Sequence, residues 1–406
     1  MIEFDIGELV GELKKLVYNY LIEYINSSPS LKLSKLRFKL QLESKSDNSS
    51  ILRIWLDNLL SGSDDILVDY DVSDYSFKIG NVEIKNPIVS APLAGISDNT
   101  YRIFARFFGA ALTYSEMVTS YGIYYNHKKS LHMTNITNYE RPCALQIFGS
   151  DPDIMSEAAL MLEDKADIID INMGCPVPKI LKSKSGGYLL QDEERIEAII
   201  SKIASVVKKP VTVKVRIGWD KNSINILKIA KIAESSGAAA IAIHGRTVKQ
   251  GFSGEVNYEV IKKTKKNVNI PVMISGDINT PQKAKEVLEY TSCDGIMIGR
   301  ASRGNVWVLL NILLSIIYKD NISEKPDGIS KRSNFIPSIS WRKEFAVVYL
   351  KFLIYFKGEY KAVREYRKHL SWIFKGVRGI SKARKELFKI KSFEDAVNVI
   401  ENIGGK

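Results

Sequence analysis

The sequence predicts an α/β fold of the TIM (β/α)8 type, and three observations carry that prediction. Short apolar runs alternate with helix-period segments eight times over about 220 residues from Pro87 onward, the pattern of a parallel sheet with crossover helices. The runs end in polar or glycine residues, so chemistry collects past the carboxyl ends of the strands, where barrel active sites lie. Two short strands, residues 75–79 and 82–84 joined at Gly80-Asn81, precede the first run and can close the barrel bottom.

The runs are residues 88–91, 111–115, 143–148, 168–173, 211–215, 239–243, 271–274 and 295–298. Helical periodicity fills most intervals, as at 154–162, 194–207, 224–235 and 281–290. Residues 307–318 read as a closing helix, setting the catalytic barrel at 76–320. Residues 321–340 are polar with Pro326 and Pro337, as in a linker. A helical module follows at 341–406, with Phe345, Tyr349, Phe352, Leu353 and Phe356 on one face and further helices over 360–374, 381–387 and 392–403. Ahead of the barrel, residues 1–26 form an amphipathic helix bearing Leu9, Leu13, Leu16 and Tyr20, stopped by Ser27-Ser28-Pro29. An alternating stretch (36–42), a polar tract (43–50) and an apolar segment (51–60) complete a separate extension, 1–75, to which no chemistry attaches.

Composition narrows the function. The chain has 406 residues, 45% of them hydrophobic, and a net charge of +12. No run of 18 apolar residues and no basic, then apolar, start are present, so neither a membrane span nor a secretion signal is expected. Cys143, Cys175 and Cys293 are odd in number and widely spaced, which argues for a reducing, cytoplasmic setting. No CxxC, HExxH, Walker or GxGxxG pattern occurs, so zinc, a nucleotide P-loop and a Rossmann site lack support. The charge is uneven: residues 1–80 have nine Lys and Arg against thirteen Asp and Glu, net −4, while residues 341–406 have sixteen against seven, net +9. A basic module fits a polyanionic partner, and equally a solvated helix surface.

Past the strands lie Pro92-Leu93-Ala94-Gly95, then Glu116-Met117, Gln146, Asn172 with Cys175, Lys214 with Arg216, His244-Gly245-Arg246, Ser275-Gly276-Asp277 and Gly299-Arg300. Glycines after the seventh and eighth strands, with Arg300 beside them, suit a cofactor phosphate. Gln146, Lys214 and His244 facing inward can hold a flat polar ring such as a flavin, with the Lys214 cation at its N1–O2 edge. Gly174 and Pro176 stiffen the loop that carries Cys175. Taken singly, Cys175 also reads as a small buried hydrophobe, Gln146 as a strand-end group, Lys214 as a partner of Glu116 or Asp170, and His244 as a satisfied core residue. In the terminal module, Lys361, Arg364, Arg367, Lys368, His369, Lys375 and Arg378 interleave with Tyr366, Trp372 and Phe374, a mixture suited either to RNA contacts or to a core with a soluble coat.

Together these residues resemble the tRNA dihydrouridine synthase family. The carrying motifs are Ala91-Pro92-Leu93-Ala94-Gly95-Ile96-Ser97-Asp98, Ser115-Glu116-Met117, Gln146-Ile147-Phe148-Gly149, Asp170-Ile171-Asn172-Met173-Gly174-Cys175-Pro176, Val213-Lys214-Val215-Arg216, His244-Gly245-Arg246-Thr247 and Met297-Ile298-Gly299-Arg300, continuing at Tyr366-Arg367-Lys368-His369. The resemblance implies FMN in the barrel mouth, NADPH as reductant and reduction of a uridine in tRNA to dihydrouridine, with hydride passing from flavin N5 to C6 and a proton from Cys175 to C5. It further implies that Pro92, Leu93, Ala94, Gln146, Lys214, His244, Ser275, Gly276, Asp277, Gly299 and Arg300 bind FMN, and that Asn172, Arg216, Arg367 and Lys368 bind substrate. It brings no metal, membrane or protein partner. Ser275 stands where the family usually has Asn, and Val306 interrupts its Gly-Asn-Pro-Trp motif; residues 1–75 have no family counterpart. The competing expectation is a small-molecule flavin oxidoreductase acting on a free pyrimidine, as dihydroorotate dehydrogenases do; a free pyrimidine needs no basic helical module.

Overall fold

A computed structural model describes residues 3–27, 75–317 and 335–404. The barrel staves are β3 (Ile88–Ser90), β4 (Thr113–Tyr114) continued by β5 (Val118–Thr119), β6 (Cys143–Phe148), β7 (Ile168–Met173), β8 (Val211–Arg216), β9 (Ala240–His244), β10 (Val272–Ser275) and β11 (Gly295–Ile298). Parallel pairing runs in order from β4 through β11 and then from β11 to β3. Main-chain bonds close the ring, Ala111 donating to Ile88 O and Ser90 to Leu112 O. The predicted barrel is therefore present. The second strand, expected over 111–115, is shorter (Thr113–Tyr114), and beyond Glu116 and Met117 the chain pairs with β6 again at Val118–Thr119.

The hairpin of β1 (Phe77–Ile79) and β2 (Val82–Ile84) plugs the base. Ile79 and Ile84 join Val89, Leu112, Tyr114, Ala144, Ile168, Ala240, Ala242, Met273 and Met297 in one buried cluster. Because alternate strand residues share a face, the positions above this layer, Asp170 and Asn172, Thr212, Lys214 and Arg216, His244 and Ser275, continue the barrel interior toward its mouth. The apolar floor thus becomes a polar ceiling within two or three residues along β6–β10.

Helices α2 (Asn99–Phe107), α3 (Pro152–Leu160), α4 (Glu193–Val206), α5 (Ile226–Ser235), α6 (Tyr258–Lys265), α7 (Pro281–Thr291) and α8 (Val308–Ile317) belong to the same unit. Their starts follow local chemistry: Asp98 accepts from Tyr101 N, Asp151 precedes Pro152 and accepts from Ile154 N, and Thr280 precedes Pro281 and accepts from Lys283 N. The first loop is held from within by Arg102, which is 1% exposed and donates to Glu140, to Ser97 O and to Asn135 O at 2.6, 2.6 and 2.9 Å. Glu140, itself buried, also accepts from Asn99 and Thr137.

A second compact unit contains α1 (Ile6–Asn26), α9 (Ile339–Lys357), α10 (Glu359–Ile373), α11 (Ile380–Leu387) and α12 (Phe393–Glu401). The apolar stripe of α1 (Leu9, Leu13, Leu16, Val17 and Tyr20) is buried. Trp341 Nε1 donates to Leu16 O at 2.9 Å, and Lys351 pairs with Glu12 at 2.6 Å. Helix α1 accordingly shares a core with sequence more than 300 residues away. The stretches expected at 36–42, 43–50 and 51–60, and most of the expected linker, lie outside the described residues. Among the described residues no helix is long and apolar enough to cross a membrane, and no cluster of His, Cys, Asp or Glu could hold a metal.

Candidate active site

Neighbouring strands bring their inward side chains to matching heights: Gln146 pairs with Asp170, Asp170 with Thr212, Asn172 with Lys214, and His244 with both Arg216 and Ser275. A hydrogen-bond chain follows. Thr212 Oγ1 donates to Asp170 Oδ1 at 2.6 Å, Gln146 Nε2 to Asp170 Oδ2 at 2.6 Å, and Asn172 Nδ2 to Gln146 Oε1 at 2.9 Å. Asn172 Oδ1 then accepts from the backbone N–H of Gly174 and of Cys175, at 3.2 and 3.0 Å. The strand end therefore grips the cysteine loop directly. On the other side Gly187 N donates to Cys175 O at 3.0 Å. Gly186 has φ +60°, and a Cβ there would lie 3.1 Å from Cys175 Cβ, so only glycine lets that backbone approach.

The electrostatics follow from burial. Asp170 is pushed up to about 7, chiefly by desolvation. Lys214 is drawn down to about 8 by desolvation and by Arg216. The Cys175 thiol is pushed up by burial against the opposing pull of the Val177 N–H, Arg216 and Lys214. His244, facing Arg216, Lys214, Arg246 and Arg300, is lowered to about 2 by desolvation first and then by those cations, so its ring is neutral at ordinary pH. Its Nδ1 is buried without a hydrogen-bond partner among the described residues.

The far side of the mouth is a cationic rim. Arg246 bonds Ser253 O and Gly254 O and pairs with Asp277, and Arg300 Nη2 reaches Asp277 Oδ1 at 2.7 Å. Asp277 (φ 49°) follows Gly276 (φ +131°), where a Cβ would come within 3.0 Å of Val256. The Phe252 ring lies 4.5 Å from the Arg300 guanidinium and 5.4 Å from that of Arg216. Gly299 stands against Ala91 and Leu93, bringing the first and last loops together. Pro92 and Leu93 are partly buried and Ala94 is exposed; Ser97 Oγ fixes the loop by accepting from Leu93 N at 2.7 Å. Cys175, Gln146, Lys214, His244, Ser275, Gly276, Asp277, Gly299, Arg300 and the Pro92–Ala94 loop thus share one end of one barrel. Arg216 shares it too, with its guanidinium engaged by Gly174 O, Thr247 O and Gly251 O at 2.9, 2.9 and 2.7 Å.

A family model described as "Dihydrouridine synthase (Dus)" matches residues 89–404, spanning the barrel and the terminal helices. The chain belongs to the dihydrouridine synthase family. Among curated members it is 41% identical over 304 residues to "tRNA-dihydrouridine synthase B" of Pasteurella multocida, covering 74% of this chain and 87% of that one. It is 37% identical to the protein of that name from Vibrio cholerae, over 80% and 97%, and 38% identical to "Probable tRNA-dihydrouridine synthase" of Rickettsia bellii, over 74% and 89%.

Two further residues expected to bind substrate belong to the second compact unit. Arg367 and Lys368 are half-buried on α10, within the helical unit, and Arg367 Nη2 donates to Ile390 O at 2.7 Å. Of the aromatics interleaved with the basic residues, Tyr366 and Phe374 are core; the exposed cations are Lys361, Arg364, Lys375 and Arg378. The sequence offered Asp170 only as a possible partner of Lys214 and gave Phe252 no role. A polar residue inside an otherwise apolar strand was the available signal for Asp170, and the Gln250-Gly251-Phe252-Ser253-Gly254 motif was the one for Phe252.

Proposed function

We propose that this chain reduces uridine in tRNA to 5,6-dihydrouridine, with FMN in the barrel mouth and NADPH as reductant. The observation that carries this is Cys175 on a stiffened loop at the same strand ends as Lys214, Gln146 and a neutral His244 with an unpartnered Nδ1. These groups fit a flat, hydrogen-bonding ring system: the buried His244 Nδ1 lacks a partner that such a ring supplies, and the Lys214 cation stands on the neighbouring strand. Ser275, Gly276, Asp277, Gly299 and Arg300 would hold its phosphate, Pro92–Ala94 would cover it, and Gln146 would bond its edge. When bound and reduced by NADPH, the flavin supplies a hydride to C6 of the uracil.

The remaining chemistry belongs to the protein. Lys214 places a cation where negative charge grows. Cys175 is protonated at neutral pH because burial disfavours its thiolate, so its Sγ carries the proton that C5 needs as C6 gains hydride. Asn172, accepting from the Gly174 and Cys175 N–H groups, and Arg216, donating to Gly174 O, hold the sulfur in place beside the base, which must leave its stack to reach the mouth. Purified protein with unmodified tRNA, NADPH and FMN tests this by mass spectrometry of the nucleosides. Dihydrouridine is expected. NADPH oxidation without any gain of two mass units on uridine would reject the reading.

A further inference from the structure

Where the chain leaves β5, it builds an aromatic surface that the reduction itself does not use. Thr119 pairs with Phe148 at the carboxyl end of β6, and two residues earlier the sulfur of Met117 lies 3.7 Å from Asn172 Nδ2. The following helical turn, Ser120–Tyr124, buries Ser120, Gly122 and Ile123 against the barrel. Gly122 permits close contact with the next turn, Lys128–Met133, since a Cβ there would come 2.1 Å from Ser130 Oγ. That packing presents Tyr121, Tyr124 and Tyr125 outward, 41%, 40% and 58% exposed. Tyr121 stacks on Tyr125 with centroids 6.4 Å apart, Tyr124 meets Tyr125 edge-on at 4.9 Å, and Tyr125 stacks toward His127 at 6.5 Å.

Three exposed rings in contact are a patch rather than scattered surface apolar residues, and such patches mark interaction sites. Charge narrows the partner. Lys128 and Lys129 are exposed beside the rings, and the sequence contains no Asp or Glu from Met117 to Tyr139. Aromatic faces on a segment that carries cations and no carboxylate of its own complement unpaired nucleotides, whose bases stack and whose phosphates are anionic. Distance agrees: four residues from Met117 to Tyr121 span at most roughly 14 Å, so a strand with one base in the mouth can continue onto the rings.

We propose that Tyr121, Tyr124 and Tyr125, with Lys128 and Lys129, form a platform for unpaired nucleotides flanking the target uridine, an inference that rests on the RNA reading above. The full-length holoenzyme and an unmodified tRNA transcript provide the test, with binding read by fluorescence anisotropy across salt concentrations. The Tyr124→Ala/Tyr125→Ala double variant should bind at least about fivefold more weakly, the loss of one stacked base. The Tyr124→Phe/Tyr125→Phe variant should bind within about twofold of wild type, since the π faces remain. Lys128→Ala/Lys129→Ala should flatten the salt dependence by roughly 1.5 in log–log slope. Wild-type affinity in the alanine double variant would overturn the platform; if that variant also changed oligomeric state, the rings would instead belong to a protein interface. Failure of the wild type to bind tRNA or form dihydrouridine would be a different result, overturning the functional reading itself.

Discussion

At Cys175 two effects oppose each other. Lys214 and Arg216 favour the thiolate, burial favours the thiol, and burial prevails, which suits the proton-donor role proposed for the residue better than that of a nucleophile. Cys175→Ala should retain flavin and NADPH oxidation while losing most dihydrouridine formation. Product at the wild-type rate would remove the residue from the reaction. Lys214 is drawn down to about 8, so it is charged below that pH and neutral above it. Turnover should therefore decline above about pH 8, and Lys214→Arg should move that decline upward, because a guanidinium keeps its proton. Lys214→Met should cost roughly a hundredfold, and an alkaline limb identical in the Arg variant would exclude Lys214 as its source. These residues were legible because each sits at the end of an apolar run. Their partners were not: sequence gives no register, so the Thr212–Asp170–Gln146–Asn172 chain emerges only when strands distant in sequence stand at matching heights.

Elements were legible where burial and punctuation agreed. The runs 143–148, 168–173 and 295–298 coincide with β6, β7 and β11, since both faces of a barrel strand are covered and the apolar run equals the strand. Helix starts were less so: α3 begins at Pro152 rather than at 154, because Asp151 and Pro152 set the first turn ahead of any apolar period. Invisible in the sequence was the fastening of the first loop by the buried Arg102–Glu140 pair. Removing one partner leaves the other charge uncompensated, so Arg102→Ala should cost about 3–5 kcal/mol in denaturant unfolding. A cost under about 1 kcal/mol would mean that water reaches Glu140.

For the whole molecule, family membership extends to residue 404, and helix α1 lies in the same compact unit as those terminal helices. Patterning predicted the helix and its apolar stripe but could not name what covers it, because amphipathicity specifies a face and not a partner. Deleting residues 1–27 should uncover Trp341, Phe345 and Tyr349, red-shifting tryptophan emission and lowering the unfolding midpoint; an unchanged spectrum would mean the stripe contributes no cover. The pairing of α1 with α9 also sets an order of events during synthesis. Everything needed to close the barrel precedes Trp341 in the chain, whereas Tyr20 must await Phe335 and Trp341, made more than 300 residues later. Until that stretch is made, the apolar stripe of α1 lacks the cover that α9 gives it in the folded unit.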